Sequence, residues 1–168
     1  MNIARAYDAF CKKPFPLPHE KDVIDLESRI SVTFPPDYRQ FLLEYNGGCF
    51  NEPEIIPPEP EMTPPAEKAP VDLFASLYGI RATHPVNELG QPASIELFDD
   101  NDPPEIVPIG YTIIGYLILL VTYPDDDDYG DILLRSFTES FWLAEGIADF
   151  FELLQAPRAV GPAVPDAD

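Results

Sequence analysis

The sequence predicts an α+β fold in which one mainly antiparallel sheet is covered by helices. Three observations predict it: two helical segments come first, a run of apolar strands follows, and an amphipathic helix closes the pattern. Short connections between the strands favour antiparallel neighbours. The chain has 168 residues, of which 45% are hydrophobic, and no internal repeat is visible. We therefore expect a single domain over residues 1–156 with a core of its own.

The first predicted helix lies between Lys21 and Val32. Apolar residues recur there at i, i+3 and i+7 among charged residues, which is typical of a helix with one buried face. They are Val23, Leu26 and Ile30. The second helix begins at Pro35 and Pro36, because prolines end any preceding helix and preset the first turn of the next. Asp37 then adds a favourable negative charge to the N-terminus of this second helix.

The face of the second helix is aromatic and aliphatic. Its apolar residues fall at i, i+3, i+4 and i+7, which predicts that this face packs in the core. They are Tyr38, Phe41, Leu42 and Tyr45. Asn46, Gly47 and Gly48 follow, and all three tolerate the positive φ angles that end a helix and reverse the chain.

Residues 51–70 contain so many prolines that we expect neither a helix nor a central strand there. This segment is predicted to be an extended surface loop or a disordered insertion. The tail, residues 157–168, is rich in proline and small residues, so we expect it to be disordered as well.

Regular structure resumes after the insertion. Residues 71–80 favour a strand, although a short helix stays open as the alternative. Ser94 is placed to cap one or two helical turns before the prolines at 103 and 104. Three more strands are predicted by apolar runs bounded by turn residues. They cover residues 106–111, 115–123 and 131–137.

The last predicted elements follow the third of these strands. Residues 140–143 are predicted to form a short strand that contains the single tryptophan, Trp142. A helix over residues 145–155 is predicted by apolar residues at helical spacing before Pro157. These residues are Ile147, Phe150, Phe151 and Leu154.

Residues 106–123 carry no charge and approach the ~20 residues of a membrane-spanning helix. Interrupting Pro and Gly residues, frequent β-branched residues and acidic flanks favour buried strands instead. The N-terminus lacks the apolar core of a secretory signal. Cys11 and Cys49 have no spacing that suits a zinc site. We therefore expect a cytoplasmic protein that neither crosses a membrane nor holds a metal or cofactor.

The net charge is the outlying property of this composition. Thirty acidic residues stand against ten basic ones, giving a formal charge of -20. DNA and RNA are poor partners, because phosphate binding needs a basic surface. A basic protein would be attracted, and the alternative is that the acidity serves only solubility.

Catalytic candidates are weak. His19 and His84 each lie beside a proline, with no partner that would orient an acid or base. Cys49 follows a helix end rather than preceding a helix N-terminus, where a thiolate would be stabilised. The glycine doublet at 47 and 48 lacks the spacing of a phosphate-binding loop. We expect no catalytic residue.

Two acidic clusters remain as candidate sites. The first comprises Asp99, Asp100 and Asp102, and the second comprises Asp125, Asp126, Asp127, Asp128 and Asp131. Three interpretations stay open: a solvated turn, a specific metal site, or a surface that contacts a positively charged protein. The run at 125–131 lacks the ligand order of a calcium loop. We predict partner binding through Asp99, Asp100, Asp102, Asp125, Asp126, Asp127, Asp128 and Tyr129. Tyr111, Tyr123 and Tyr129 are the three alternatives for an aromatic anchor.

The run IDLESRISVTFPPDYRQFLLEYNGG, residues 24–48, resembles the N-terminal signature of the SUKH superfamily, in which an "I..LE..L" helix leads through "LP.DY..FL...NGG". IVPIG at 106–110, Gly115 before a strand and FFELL at 150–154 are similar in the same order. The resemblance covers most of the chain except the insertion and the tail. Phe34 departs from the usual leucine, and Gly146 from the serine that often begins the last helix.

This resemblance implies a central, mainly antiparallel sheet flanked by helices, and no enzymatic activity. The superfamily includes a fungal regulator of cell-wall glucan synthesis and many bacterial immunity proteins that neutralise polymorphic toxins, often nucleases. The compact chain is more similar to the bacterial kind. The first hypothesis is thus an immunity protein that binds a basic toxin domain. A regulatory or scaffolding module is the second, and an unrecognised hydrolase or metal enzyme is the third.

Overall fold

The computed structural model describes residues 2–56, 72–80, 89–90, 106–136 and 139–156. Within these ranges the chain forms four helices and nine strands. In chain order they are α1 (Ile3–Phe10), β1 (Cys11–Pro14), α2 (Glu20–Ile30), α3 (Pro36–Glu44), β2 (Gly48–Phe50), β3 (Glu54–Ile55), β4 (Asp72–Leu77), β5 (Ile106–Thr112), β6 (Leu117–Val121), β7 (Ile132–Arg135), β8 (Ser140–Ala144), α4 (Ile147–Glu152) and β9 (Leu154–Gln155).

The strands form one sheet in the order β1-β2-β4-β5-β6-β7-β8, and β3 joins β4 to β9 beside this path. Every pairing between described strands is antiparallel. The predicted α+β class and the mainly antiparallel sheet are therefore confirmed. For residues 71–80 the alternatives were a strand and a short helix, and the structure has a strand, Asp72–Leu77.

The uncharged run at 106–123 forms β5 and β6, which pair with each other as an antiparallel hairpin. All five residues of β6 are buried, which explains a continuous apolar run without polar alternation. None of the described helices has the length and apolar character needed to cross a membrane.

Several elements differ from the sequence prediction. Helix α1 and strands β1 and β2 were not predicted. A short strand, β3, lies in the segment where proline was expected to prevent a helix or a central strand. It forms because the backbones of Glu54 and Ile55 pair with β4 on one side and with β9 on the other. Helix α4 ends at Glu152 rather than at residue 155. Leu154 is buried by strand pairing in β9, so tertiary contacts override its helical spacing.

Other predictions lie outside the described residues. The cap at Ser94, most of the insertion and the whole tail at 157–168 belong to this group. The described part of the insertion, residues 51–56, contains β3.

One hydrophobic cluster joins α2, α3 and α4 to a face of the sheet. Aromatic rings dominate it. Phe41 of α3 packs on Phe151 of α4 with 5.6 Å between ring centroids, and Phe74 of β4 meets Phe150 edge-on at 5.4 Å. The predicted apolar face of α3 is thus confirmed as core, because Tyr38, Phe41 and Leu42 are buried.

The turn after α3 is fixed by a buried asparagine. Asn46 adopts a positive φ of 56° and donates from Nδ2 to the carbonyl oxygens of Pro16 and Ile80. Its Oδ1 accepts from the backbone N–H of Ile80 at 2.8 Å. Gly47 follows at φ +69°, and a Cβ there would lie 2.4 Å from the Tyr78 carbonyl oxygen. The chain reversal thus needs an asparagine, whose amide pairs with the backbone, followed by a glycine, which has no Cβ.

Candidate functional site

The acidic loop, residues 124–130, connects β6 to β7. Its four consecutive aspartates are exposed, and they are Asp125, Asp126, Asp127 and Asp128. Internal hydrogen bonds give the loop a defined shape. The backbone N–H of Tyr129 donates to the Asp126 carbonyl oxygen (3.2 Å), and that of Asp128 donates to the Asp126 carboxylate (3.2 Å). The four charges are therefore presented on an ordered turn.

Tyr129 attaches this loop to the connection between α2 and α3. Its hydroxyl donates to the Thr33 carbonyl oxygen at 3.3 Å, and its side chain is half-buried. Burial raises the pKa of Tyr129, the negative charges of Glu27 and Asp37 raise it further, and Arg39 opposes them. Tyr129 thus stays neutral and holds the loop against the helical layer.

A groove of about 520 Å³ lies beside the acidic loop, and we call it the α2 groove. Helix α2, the α2–α3 connection and the end of β6 form its walls. The lining residues are Ile24, Glu27, Ser28, Ser31, Val32, Thr33, Thr122, Tyr123 and Pro124. Ile24 is 48% exposed and Tyr123 is 44% exposed, so the groove carries apolar surface that the described fold leaves open to solvent.

In the helices behind this groove, acidic side chains form ion pairs with an arginine. Arg39 of α3 forms ion pairs with Glu20 and Glu27 of α2. Glu27 also accepts a hydrogen bond from the Phe34 backbone N–H at 2.8 Å. Its charge is therefore used inside the protein, whereas Asp125–Asp128 project into solvent.

Strand β8 contributes an exposed aromatic residue on the other side of the loop. Trp142 is 47% exposed and donates from Nε1 to Asp131 Oδ2 at 2.7 Å. Burial raises the pKa of Asp131, the Trp142 hydrogen bond lowers it, and the charges of Asp128, Glu145 and Asp126 raise it. Negative potential thus extends from the acidic loop to β8.

The structure places only part of the predicted site. Asp99, Asp100 and Asp102 lie outside the described residues, so their part in partner binding stays a prediction. Among the three candidate tyrosines, Tyr111 and Tyr129 are half-buried and Tyr123 is exposed. Tyr123 is thus the tyrosine with the most surface open to a partner.

Two exposed residues at this surface were missed. Ile24 lies directly beside Val23 and outside the buried stripe of α2, and this off-stripe position was the available signal. Trp142 was assigned to a strand, but its exposed side was not predicted. Strand β8 has exposed or half-buried residues at 140–142 and buried ones at 143–144, so simple alternation does not reveal it.

No group of three His, Cys, Asp or Glu residues in the described ranges is arranged to hold a metal ion. His19 precedes α2, and its backbone N–H donates to the Asp22 carboxylate at 2.8 Å. His84 lies outside the described residues. Cys49 is half-buried in β2, beside the hydroxyl of Ser76 at 4.0 Å.

Comparison with known proteins gives one match. A family model described as SMI1 / KNR4 family (SUKH-1) matches residues 17–153, which include the α2–α3 segment, the acidic loop and α4. No curated protein and no solved structure matches the chain.

Proposed function

Because the chain belongs to the SMI1 / KNR4 family (SUKH-1), we propose that it is a non-catalytic protein-binding module, and specifically a bacterial immunity protein that neutralises a cognate toxin. The proposed setting is the cytoplasm of the cell that produces the toxin. Family membership supports the binding role, and the charge of the chain supports the choice of partner.

The observation that carries this proposal is the acidic loop. Four aspartates project from an ordered turn, and Tyr123 lies directly before the loop as an exposed aromatic residue. Nucleases present basic residues to phosphate groups, so an acidic surface of matching shape occupies the same region. Charge then steers the encounter, while buried aromatic contacts slow dissociation. The loop therefore mimics the charge of nucleic acid, and the toxin loses access to its substrate.

The first test identifies the partner. The tagged protein is used to capture binding proteins from its native cell lysate at low and at high salt, and mass spectrometry identifies them. We expect a basic toxin domain that is released as the salt concentration rises, because screening weakens exposed charge pairs. The captured domain must also kill cells when expressed alone and spare them when this protein is co-expressed. Recovery of kinases or wall-synthesis proteins instead would favour the regulatory module.

The second test isolates the acidic loop. Replacing Asp126 and Asp127 by asparagine should weaken the complex about tenfold at low salt, mainly by slowing association, and should reduce the salt dependence of binding. Surface plasmon resonance at two salt concentrations measures both effects.

A matched control keeps the net charge change the same. Asp8→Asn with Glu139→Gln also removes two exposed negative charges, one from α1 and one from the β7–β8 turn at the opposite end of β7 from the acidic loop. The control should bind nearly as tightly as the unmodified protein. Equal losses in both double variants would mean that total charge, rather than the acidic loop, drives association.

A further inference from the structure

Two exposed apolar side chains converge on the α2 groove. Single exposed hydrophobic residues are normal on protein surfaces and need no explanation. Ile24 and Tyr123, however, come from different elements almost a hundred residues apart in sequence, and both line the same concave surface. The groove volume of about 520 Å³ lies within the range of sites that receive a small ligand or a side-chain cluster.

The polar groups in the groove walls are largely used inside the protein. The Ser28 hydroxyl donates to the Ile24 carbonyl oxygen at 2.9 Å, and the Thr33 carbonyl oxygen accepts from Tyr129. Glu27 is held by Arg39 and by the Phe34 backbone. These three groups already have partners, and the exposed apolar surface of Ile24 and Tyr123 is available to an apolar group of an occupant.

The surface beside the groove is charged rather than apolar. Asp125 begins the aspartate run two residues after Tyr123, whereas on α2 both Lys21 and Asp25 are exposed near Ile24. The side of the groove next to the acidic loop is therefore negative, and it favours an occupant that carries positive charge beside its apolar group. A second copy of this chain does not fit, because its formal charge of -20 would be repelled.

We infer that the α2 groove is the docking site for an apolar side chain flanked by lysine or arginine on a basic protein partner. This inference rests on the proposed function and adds an apolar contact to it. The acidic loop attracts the partner, and Ile24 and Tyr123 bind its apolar side chain.

The test uses the full chain and two fluorescein-labelled peptides of equal charge. Each peptide has eight residues, six of them lysine, and the two others are leucine in one peptide and glycine in its counterpart. Fluorescence anisotropy measures both affinities. We expect the leucine peptide to bind at least tenfold more tightly, since two leucine side chains would bury apolar surface in the groove.

Three variants assign this preference to the groove. Tyr123→Ser removes an apolar wall, and Ser28→Tyr fills the groove from an exposed position on α2. Both should reduce the leucine preference to less than threefold. Ile114→Ser is the matched control, because Ile114 is 55% exposed in the β5–β6 turn and does not line the groove. It should keep the full preference.

The possible outcomes separate the inference from the proposed function. Equal binding of both peptides to the unmodified chain, or a leucine preference that survives both groove variants, would overturn the groove as a docking site. A captured toxin together with equal peptide binding refutes the groove and leaves the immunity role standing. A groove-dependent preference together with capture of a basic partner that is not a toxin supports the groove as a docking site and refutes the immunity role.

Discussion

Two regions of the molecule differ in how far their side chains are buried. One is the aromatic core between α3 and α4, and the other is the surface formed by the acidic loop and the α2 groove. In the core, Phe41, Phe151 and their neighbours are buried against one another, and Asn46 has both ends of its amide paired. At the surface, four aspartates and the apolar side chains of Ile24 and Tyr123 face solvent. The first region makes its contacts within the chain, apart from the Tyr38 hydroxyl, which is unpaired among the described residues, and the second leaves its charged and apolar groups exposed to solvent.

This difference assigns stability and binding to separate sets of residues. Burial of apolar area stabilises the fold, whereas exposed carboxylates on a chain of charge -20 repel one another. Variants in the core should therefore change the free energy of unfolding and leave the affinity of the folded protein unchanged. Variants at the surface should do the opposite.

The largest expected effect tests the core side of this comparison. Phe41→Ala should lower the free energy of unfolding by about 3–5 kcal/mol, because it removes a buried ring and leaves a cavity against Phe151. Urea denaturation measures the loss. Leu17→Ala is the control, since Leu17 is 59% exposed. A loss below about 1 kcal/mol for Phe41→Ala would show that the core collapses around the missing ring.

The next effect concerns the buried asparagine. Asn46→Asp keeps a short side chain that tolerates positive φ but removes the Nδ2 donor from two carbonyl oxygens. We expect a loss of about 1–3 kcal/mol for each carbonyl group left without a donor. Urea denaturation at neutral pH measures it. Unchanged stability would mean that water replaces the lost donor.

The two regions also differ in how well the sequence predicted them. Helices α2 and α3 and the antiparallel strands follow from local periodicity and from prolines and glycines, which act within a few residues. Strands β3 and β9 depend on partners far apart in sequence, so Leu154 appeared to continue a helix. The acidic loop was predicted by composition. The groove was not, because Ile24 and Tyr123 meet only in the folded chain.

A smaller effect of opposite sign is expected inside the core. Tyr38 is fully buried, and its hydroxyl finds no hydrogen-bond partner among the described residues. Burial raises the pKa of Tyr38, which keeps the hydroxyl neutral. Tyr38→Phe removes the unsatisfied oxygen and keeps the ring that packs on Phe34 and Phe41. The free energy of unfolding should therefore rise by about 1 kcal/mol. A decrease of that size would indicate a buried water that bonds the hydroxyl.

The smallest expected effect lies at the border of the acidic loop and depends on pH. Burial and the neighbouring carboxylates raise the pKa of Asp131 in the folded state above its value in the unfolded chain. The folded state therefore favours the protonated form, and this contribution to stability is present at low pH and is lost as pH rises through the raised pKa. Asparagine stays neutral at every pH and still accepts a hydrogen bond from Trp142 Nε1.

Asp131→Asn should thus be slightly more stable than the unmodified protein at pH 7, within the roughly 0.5 kcal/mol usual for exposed positions. The advantage should shrink as the pH falls through the pKa of Asp131 and both side chains become neutral. Thermal unfolding followed by the fluorescence of Trp142 measures this. Asp8→Asn corrects for the general benefit of removing one negative charge. A lower stability of Asp131→Asn at pH 7 would mean that the hydrogen bond from Trp142 to the ionised carboxylate outweighs the repulsion from neighbouring carboxylates. The negative charge of Asp131 would then stabilise the fold, unlike the exposed charges of the acidic loop.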